Sequence, residues 1–225
     1  MHILIEFLRT ELKAAADPKK AKEMQAYMKT TQRFYGVQAP VRKQSFKKAR
    51  SQFEISSFGE YQSVIKTLWN GESREEMYQA LEVAGYFHKF RRNAMDLFEE
   101  LLESASNWDT VDWIAGQLVS QLLRENRIHE QKLRKWRESD NFWMRRASVL
   151  AHLHHKNETN LELLSETIVL LMHEEEFFIR KAIGWILRDY SRFDPNWVND
   201  FVKKNHDGLS GLSRREALKR INRGS

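Results

Sequence analysis

Apolar residues recur at helical spacing along almost the whole chain, and the alternating pattern typical of half-buried strands is absent. The pattern therefore predicts an all-α protein with short connections between its helices. The predicted helices span residues 2–15, 18–34, 40–53, 59–70, 73–89, 91–104, 107–124, 127–138, 140–155, 159–173, 176–192, 195–204 and 213–222.

A period of 35 residues relates several of these helices. The stretches SREE at 73–76 and SRRE at 213–216 both match a capping box, in which the serine accepts a backbone hydrogen bond and the glutamate reaches back. They begin 140 residues apart, which is four periods. A period of this length built from two helices is typical of an α-solenoid of helical hairpins that stack into a curved superhelix. The alternative is a chance match among helices of similar length.

One column of these 35-residue rows is apolar except at Asp112. Its other members are Met77, Ala147, Ala182 and Ala217. A carboxylate in place of a packed methyl group costs several kcal/mol when it is buried without a partner. We therefore expect Asp112 to lie at the edge of the core, where a partner or a ligand can reach it.

Two tryptophans and several cations are predicted to lie near this carboxylate. Trp108 precedes it by one helical turn and shares its face. Trp185 interrupts another apolar column, with Lys181 one turn before it and Arg188 one turn after it. Because equivalent helices of stacked hairpins line one concave wall, we expect these side chains and Arg146 to converge with the carboxylate.

The composition fits one domain over residues 1–225, with Gly224 and Ser225 set aside as a cloning remnant. Of the 225 residues, 41% are apolar, and no low-complexity linker divides the chain. The absence of cysteine excludes disulfides and thiolate metal sites. Because no signal-like stretch is present and the longest apolar run, TIVLLM, is too short for a bilayer, we expect a soluble cytoplasmic protein without a membrane partner.

The positive charge is concentrated in one part of the chain. The net charge is +6, and within residues 18–50 ten lysines and arginines face a single glutamate. Such a concentration is typical of a protein that binds a polyanion. The alternatives are a solvated pair of basic helices and a membrane surface, although no strong apolar wedge backs these residues.

Two indoles, one acid and flanking cations in a basic groove suit a particular chemistry. The cations fit phosphates, and an indole face attracts a positive group. An aspartate can stabilise positive charge that develops on a sugar and can orient a water molecule. These properties together suit the hydrolysis of an N-glycosidic bond to a positively charged base, although composition alone does not select this reaction.

Five separated stretches resemble, in order and over essentially the whole chain, the AlkD family of HEAT-like-repeat alkylpurine DNA glycosylases. They read YMKTTQRFYGVQAPVRK, NWDTVDWI, SDNFWMRRA, FFIRKAIGWILRDY and LSRREALKRI. The resemblance implies a HEAT-like superhelix whose basic concave groove holds duplex DNA. It also implies the excision of cationic bases such as 3-methyladenine and 7-methylguanine, without a base-flipping pocket.

The same resemblance implies roles for individual residues. Asp112 matches the catalytic carboxylate, Trp108 and Trp185 match the paired tryptophans, and Arg146 matches the active-site arginine. We expect Arg146 and Arg188 to hold phosphates. No cofactor and no metal is implied, and a monomer suffices to hold the duplex.

The N-terminal stretch departs from the family pattern at two positions. The residues predicted to contact DNA are Tyr27, Gln38, Arg42, Lys43, Lys156, Lys181 and Arg188. The family has a hydroxyl residue and an arginine where this chain has Ala39 and Lys43. Because lysine cannot reproduce the two parallel hydrogen bonds of an arginine, we expect a weaker grip on DNA rather than altered chemistry.

Two other functions also fit the sequence, and two further groups of side chains have simpler explanations than catalysis or metal binding. A DNA-binding paralogue without excision activity and a helical-repeat scaffold for other proteins are the functional alternatives. Asp109 is expected to favour the helix dipole rather than to act as an acid. In the stretch HLHH, His152 and His155 share a helical face, but no third ligand converges with them, so we expect no metal site.

Overall fold

The structure, a computed structural model, describes residues 2–223 apart from the side chain of Arg223. Within this range the chain is helical and contains no strand, which confirms the all-α prediction. No helix in the described range is long and apolar enough to cross a membrane. Gly224 and Ser225, the predicted cloning remnant, lie outside the described residues.

The helices form two compact units, Met1–Leu97 and Phe98–Ser225. The first unit contains α1 (Ile3–Ala14), α2 (Pro18–Met28), α3 (Ala39–Gln52), α4 (Phe58–Trp69), α5 (Arg74–Tyr86) and α6 (His88–Arg91). The boundary falls within α7 (Met95–Ser104). The second unit contains α8 (Trp108–Trp113), α9 (Ser120–Glu125), α10 (Glu130–Trp136), α11 (Phe142–Leu150), α12 (Leu161–Leu171), α13 (Phe177–Tyr190), α14 (Pro195–Lys204) and α15 (Gly211–Leu218). The single domain over residues 1–225 stays a prediction.

The helices that carry the 35-residue rows pack in series within the second unit. Helix α8 packs against α11, α11 against α13, and α13 against α15. The column that contains Asp112 is buried at its apolar positions, because Ala147, Ala182 and Ala217 have no exposed surface. The 35-residue period therefore corresponds to a repeat of helix packing. Asp112 is the polar residue in its otherwise apolar column.

Neither predicted capping box forms in full, although Glu76 of the first box does reach back and accepts the backbone N–H of Glu72 at 3.2 Å. The hydroxyl of Ser73 has no hydrogen-bond partner within the described residues, and Glu76 accepts a hydrogen bond from Arg9 of α1 at 2.7 Å. Helix α15 begins earlier than the second box, after Ser210, whose hydroxyl oxygen accepts the backbone N–H of Ser213 at 3.0 Å. Contacts between helices therefore use the side chains that the local motif assigned to capping.

Helix α2 ends at Met28, so the predicted helix over 18–34 is too long. Lys29 takes the left-handed conformation, with a φ angle of 48°, and its N–H bonds back to the last carbonyls of the helix. The chain then leaves the helix toward α3 in the form of an irregular segment. Long-range hydrogen bonds hold this segment, among them the bond from the backbone N–H of Arg74 to the carbonyl of Arg33 at 2.9 Å.

The buried carboxylate of Glu75 in α5 accepts three further hydrogen bonds from this segment. One of its oxygens accepts the backbone N–H groups of Gly36 and Val37 at 2.8 and 3.0 Å, and the other accepts that of Tyr35 at 3.0 Å. Gly36 has a φ angle of 87°, and a Cβ atom there would lie 2.1 Å from the carbonyl oxygen of Asp17. Glu75 therefore fixes the segment that leads into α3, where the predicted DNA contacts of the first unit begin.

Replacing Glu75 with glutamine is expected to lower the free energy of unfolding by roughly 2–3 kcal/mol. The amide offers one acceptor oxygen in place of two, and its NH2 group faces a backbone N–H that needs an acceptor. Urea unfolding measures the loss. The control is Glu72→Gln, because the side chain of Glu72 is 58% exposed and its ion pairs are loose, so we expect a change below about 1 kcal/mol. Equal losses in the two variants would contradict the assigned role of Glu75.

Candidate active site

A buried ion pair joins α8 to α11. The Nε atom of Arg146 donates to Oδ1 of Asp112 at 2.7 Å, and Nη2 donates to Oδ2 at 2.8 Å. The side chain of Arg146 is 3% exposed, and that of Asp112 is 13% exposed. Because both carboxylate oxygens accept hydrogen bonds from one guanidinium, Asp112 is held as the ionised carboxylate in a fixed orientation.

A further donor of Arg146 reaches a third helix. Nη1 donates to the backbone carbonyl of Phe178 in the first turn of α13, and the guanidinium carbon lies 5.8 Å from the centre of the Phe178 ring. The arginine therefore connects three successive helices of the repeat. This burial leaves it unsuited to the phosphate contact expected from the sequence, and its partner in the structure is the carboxylate.

The electrostatics of Asp112 follow from its position at the edge of the core. Burial raises the pKa of its carboxyl group, the hydrogen bonds and charge of Arg146 oppose this rise, and the charge of Asp109 adds to it. A carboxylate has about four lone-pair sites, of which the guanidinium uses two. The exposed edge of Asp112 therefore keeps acceptor capacity for a water molecule or a cationic group.

The two tryptophans predicted for the site lie on the helices that this arginine connects. Trp108 is the first residue of α8, and its backbone N–H is capped by the side chain of Asn107 at 2.9 Å. It is partly exposed, as is Trp185 on α13. Lys181 and Arg188, one turn to either side of Trp185, share its helical face.

The chain between α8 and α9 is not the regular helix predicted over 107–124. Residues Ile114–Val119 form a π-helical segment, which begins two residues after Asp112. Such segments are rare and occur frequently at functional sites. The helix continues through the segment, but its wider turn changes the direction of the side chains that follow.

An aromatic cluster that was not predicted from the sequence lies beside Arg146. The ring centres of Trp143 and Phe178 lie 4.9 Å apart, and those of Phe177 and Phe178 lie 5.4 Å apart. Trp143 and Phe178 follow Trp108 by one and two periods of 35 residues, so the repeat itself carried the signal. The cluster contributes part of the apolar surroundings of the ion pair.

Glu216 on α15, which was predicted to belong to a capping box, instead contacts two of the predicted DNA-binding residues. The Nζ atom of Lys181 lies 3.0 Å from Oε1 of Glu216, and Arg188 donates to Oε2. The hydrogen bond from Lys181 and the nearby cations lower the pKa of the Glu216 carboxyl group. Two of the predicted DNA contacts are therefore brought together by one carboxylate.

Lys156, another predicted DNA contact, lies beside a cavity. It follows α11 in a turn with a φ angle of 53° and lines a cavity of about 340 Å³ together with Asp189 and Arg192 of the α13 region. The backbone N–H of His154 donates to Asp189 at 3.0 Å across this cavity wall. Lys156 is exposed, but no contact joins it to the pair formed by Asp112 and Arg146 within the described range.

The predicted DNA contacts of the first unit surround the start of α3. Gln38 precedes the helix and accepts a hydrogen bond from Lys20 at 3.3 Å. The guanidinium of Arg42 lies 4.1 Å from the ring centre of Tyr78, and Lys43 is exposed beside it. Tyr27, near the end of α2, is also exposed. Basic and aromatic groups are thus available on this unit.

The histidines of the HLHH stretch are buried and neutral. Burial lowers the pKa of His152 to about 3, and burial lowers that of His155 to about 4 against the opposing hydrogen bond to the Ser120 carbonyl. Both ring nitrogens of His152 have no hydrogen-bond partner within the described residues. Across residues 2–223, no group of three or more histidine, aspartate or glutamate side chains is arranged to hold a metal ion.

These histidines predict acid lability. In the unfolded chain they bind protons near pH 6.5, whereas in the folded chain they stay neutral down to about pH 4, so stability falls as pH decreases through this window. The loss is up to about 1.4 kcal/mol per pH unit for each histidine. We expect His152→Leu to weaken this pH dependence and to leave stability at neutral pH equal or higher. Urea unfolding at about pH 7 and about pH 5 measures both effects, and identical slopes for the two proteins would contradict the prediction.

The model of the DNA alkylation repair enzyme family matches residues 8–221. The chain belongs to this family. A search of curated protein sequences gave no significant match. Among solved structures, the chain is similar to a predicted DNA alkylation repair enzyme from Enterococcus faecalis, with 30% identity and a TM-score of 0.83. The match covers 91% of this chain and 95% of the other.

Two further structures share the fold of this family member. AlkD2 from Streptococcus mutans is 17% identical, with a TM-score of 0.63, and the match covers 88% of this chain and 98% of that one. The protein smu.31 from Streptococcus mutans UA159 is 16% identical, with a TM-score of 0.59 and coverage of 79% and 91%. These likenesses confirm the predicted helical-repeat fold.

Proposed function

We propose that this member of the DNA alkylation repair family is a DNA glycosylase that removes cationic alkylated purines, such as 3-methyladenine and 7-methylguanine, from duplex DNA. One observation carries the proposal: an ionised aspartate at the edge of the core is held in a fixed orientation by a buried arginine. A fixed negative charge in a partly dry site stabilises positive charge more strongly than a solvated one does.

The reaction needs a negative charge beside the sugar of the lesion nucleotide. When the N-glycosidic bond breaks, its electron pair leaves with the cationic base, which becomes neutral, and positive charge develops on the sugar. The open edge of Asp112 stabilises that sugar cation and orients the water molecule that adds to the anomeric carbon. The oxygen of this water forms the new bond to the sugar, and its proton passes to the carboxylate or to bulk solvent.

Arg146 acts through Asp112 in this proposal and is a positioning residue. Its bidentate contact fixes the carboxylate, and its bond to the Phe178 carbonyl fixes the arginine in turn. Trp108 and Trp185 pack against the lesion nucleotide, where an indole face favours a cationic base by about 0.5–2 kcal/mol. No cofactor takes part in these steps.

The basic residues supply the grip on the DNA backbone. The proposed contacts are Tyr27, Gln38, Arg42, Lys43, Lys156, Lys181 and Arg188. Ala39 and Lys43 remove one hydroxyl and one forked donor, so binding at that edge is weaker than with the family pattern. The enzyme works in the cytoplasm and binds the duplex as a monomer.

The test is an excision assay on duplex DNA that carries one 7-methylguanine. Release of the free base above the spontaneous rate supports the enzyme. Binding without release points to a DNA-binding paralogue, and weak binding that barely changes with salt points to a protein scaffold, because phosphate contacts make affinity steeply salt-dependent. Either of these two results would contradict the proposal.

A further inference from the structure

Three cations meet at one carboxylate where α13 packs against α15. Lys181 lies 3.0 Å from Oε1 of Glu216, Arg188 donates to Oε2, and Lys219 lies 4.0 Å from Oε1. The side chain of Glu216 is 13% exposed, whereas those of the cations are between 30% and 48% exposed. The carboxylate therefore lies beneath the cations, and their charged ends reach toward solvent.

A glycine makes this arrangement possible. A Cβ atom at Gly184 would lie 2.5 Å from Cβ of Glu216 and 3.0 Å from the carbonyl oxygen of Ser213. Any side chain at this position would push α15 away and carry Glu216 with it. Gly184 directly precedes Trp185, so the close approach of the two helices places Glu216 beside the face that carries this tryptophan.

The charges of this cluster do not cancel. Three cations around one carboxylate leave an excess of two positive charges, which lies around Trp185. An ammonium group has three N–H donors and a guanidinium has five, so Glu216 satisfies only part of their capacity. The remaining donors suit an anion with several acceptor oxygens that approaches from the solvent side.

We propose that Glu216 is the positioning residue of a site that binds one backbone phosphate of DNA through Lys181, Arg188 and Lys219. By tethering these flexible side chains, the carboxylate lowers the entropy that they lose when the phosphate binds. The proposal rests on the proposed function in one respect, namely that the anion belongs to duplex DNA. It adds two residues, Glu216 and Lys219, to the DNA-binding set.

The positioning role of Glu216 and its negative charge predict opposite effects of its removal on DNA affinity. A carboxylate near a phosphate site repels the phosphate, so its simple removal tightens binding. If Glu216 instead positions the cations, the variant Glu216→Gln binds undamaged duplex roughly three- to tenfold more weakly, and its salt slope decreases by about one. Fluorescence anisotropy across a range of salt concentrations measures both quantities.

The chain offers a matched control in Glu166 of α12. Its carboxylate also bridges two cations, Arg134 and Arg137, and no predicted DNA contact lies on α12. Glu166→Gln therefore makes the same change of charge and frees two cations, compared with three for Glu216→Gln. We expect it to bind duplex as tightly as the wild type or slightly more tightly.

Glu216→Asp tests the role of Glu216 if Glu216→Gln folds poorly, and removal of the cations tests it in a second way. Glu216→Asp keeps the charge but withdraws the carboxylate by one methylene, so weaker binding of this variant cannot arise from net charge. In a Lys181→Ala, Arg188→Ala, Lys219→Ala background, Glu216→Gln is expected to have no further effect, because its three cationic partners are gone. Thermal unfolding verifies that each variant is folded.

The possible outcomes separate this inference from the proposed function. Tighter binding of Glu216→Gln, or an undiminished effect in the background without its partners, would overturn the role of Glu216 whether or not the wild type releases a base. The expected pattern of binding in a protein that releases no base would support the phosphate site and refute only the glycosylase proposal.

Discussion

Replacing Asp112 with asparagine is expected to slow the release of 7-methylguanine from duplex DNA by at least about 100-fold. Asparagine keeps the shape of the side chain but removes the negative charge that the sugar cation requires. Single-turnover release of the free base, with enzyme in excess over DNA, measures the chemical step without interference from product dissociation.

Asp109 provides the control for this variant. It lies three residues before Asp112 on the same short helix and is also partly exposed, so Asp109→Asn makes the same change of charge nearby. We expect its rate to remain close to that of the wild type. An Asp112→Asn protein that releases the base at a similar rate to Asp109→Asn would refute the catalytic role of the carboxylate.

Replacing Arg146 with methionine is expected to lower the free energy of unfolding by roughly 3–5 kcal/mol. The substitution leaves the buried carboxylate of Asp112 without its cation and leaves the Phe178 carbonyl without this donor. Base release falls as well, because the loss of the guanidinium favours the protonated form of Asp112. Urea unfolding at neutral pH measures the stability.

The neighbouring Arg145 is the matched control. It pairs with Glu174 at 2.7 Å, but its side chain is 21% exposed and its partner is 23% exposed. Arg145→Met also removes hydrogen bonds to the carbonyls of Ser139 and Asp140 at the partly exposed surface, and it is expected to cost about 1–2 kcal/mol, less than Arg146→Met. The double variant Arg146→Met, Asp112→Asn tests the mechanism further, because removal of the buried charge should recover much of the lost stability. No recovery would indicate that Arg146 stabilises the fold by packing rather than through Asp112.

The part of this fold that depends on repetition could be predicted from the sequence. Buried apolar residues returned every 35 positions because each helix packs against the equivalent helix of the next hairpin. The same period identified Asp112 as the one polar residue in an otherwise apolar column. Its partner Arg146 follows after 34 residues, so the repeat also brought the two side chains near each other.

The parts that depend on a single long-range contact could not be predicted. The segment that leads into α3 is held by hydrogen bonds that Glu75 accepts, and Glu75 is about 40 residues away in the sequence. Glu216 matched a local capping motif, and its cationic partners on α13 became visible only when the helices were packed. For the same reason Arg146 was expected to contact phosphate, although its donors are directed to a carboxylate and a carbonyl.

The ion pair between Arg146 and Asp112 has two consequences. It stabilises the fold, and it leaves one edge of the carboxylate open for chemistry. Arg146 makes an ionised group tolerable at the edge of an apolar core, and the same contact keeps that group from turning away from a substrate. A site of this kind favours a leaving base that carries positive charge, since the charge passes to the sugar as the bond breaks.

The most direct measurement compares base release from two duplexes that differ only at one position, which is 7-methylguanine in one and uracil in the other. Each rate is expressed relative to spontaneous release from the same duplex without protein. We expect strong acceleration of the release of the cationic base and no acceleration of the release of neutral uracil. Comparable acceleration of uracil release, or no acceleration of either, would contradict the claim that Asp112 works on a positively charged lesion.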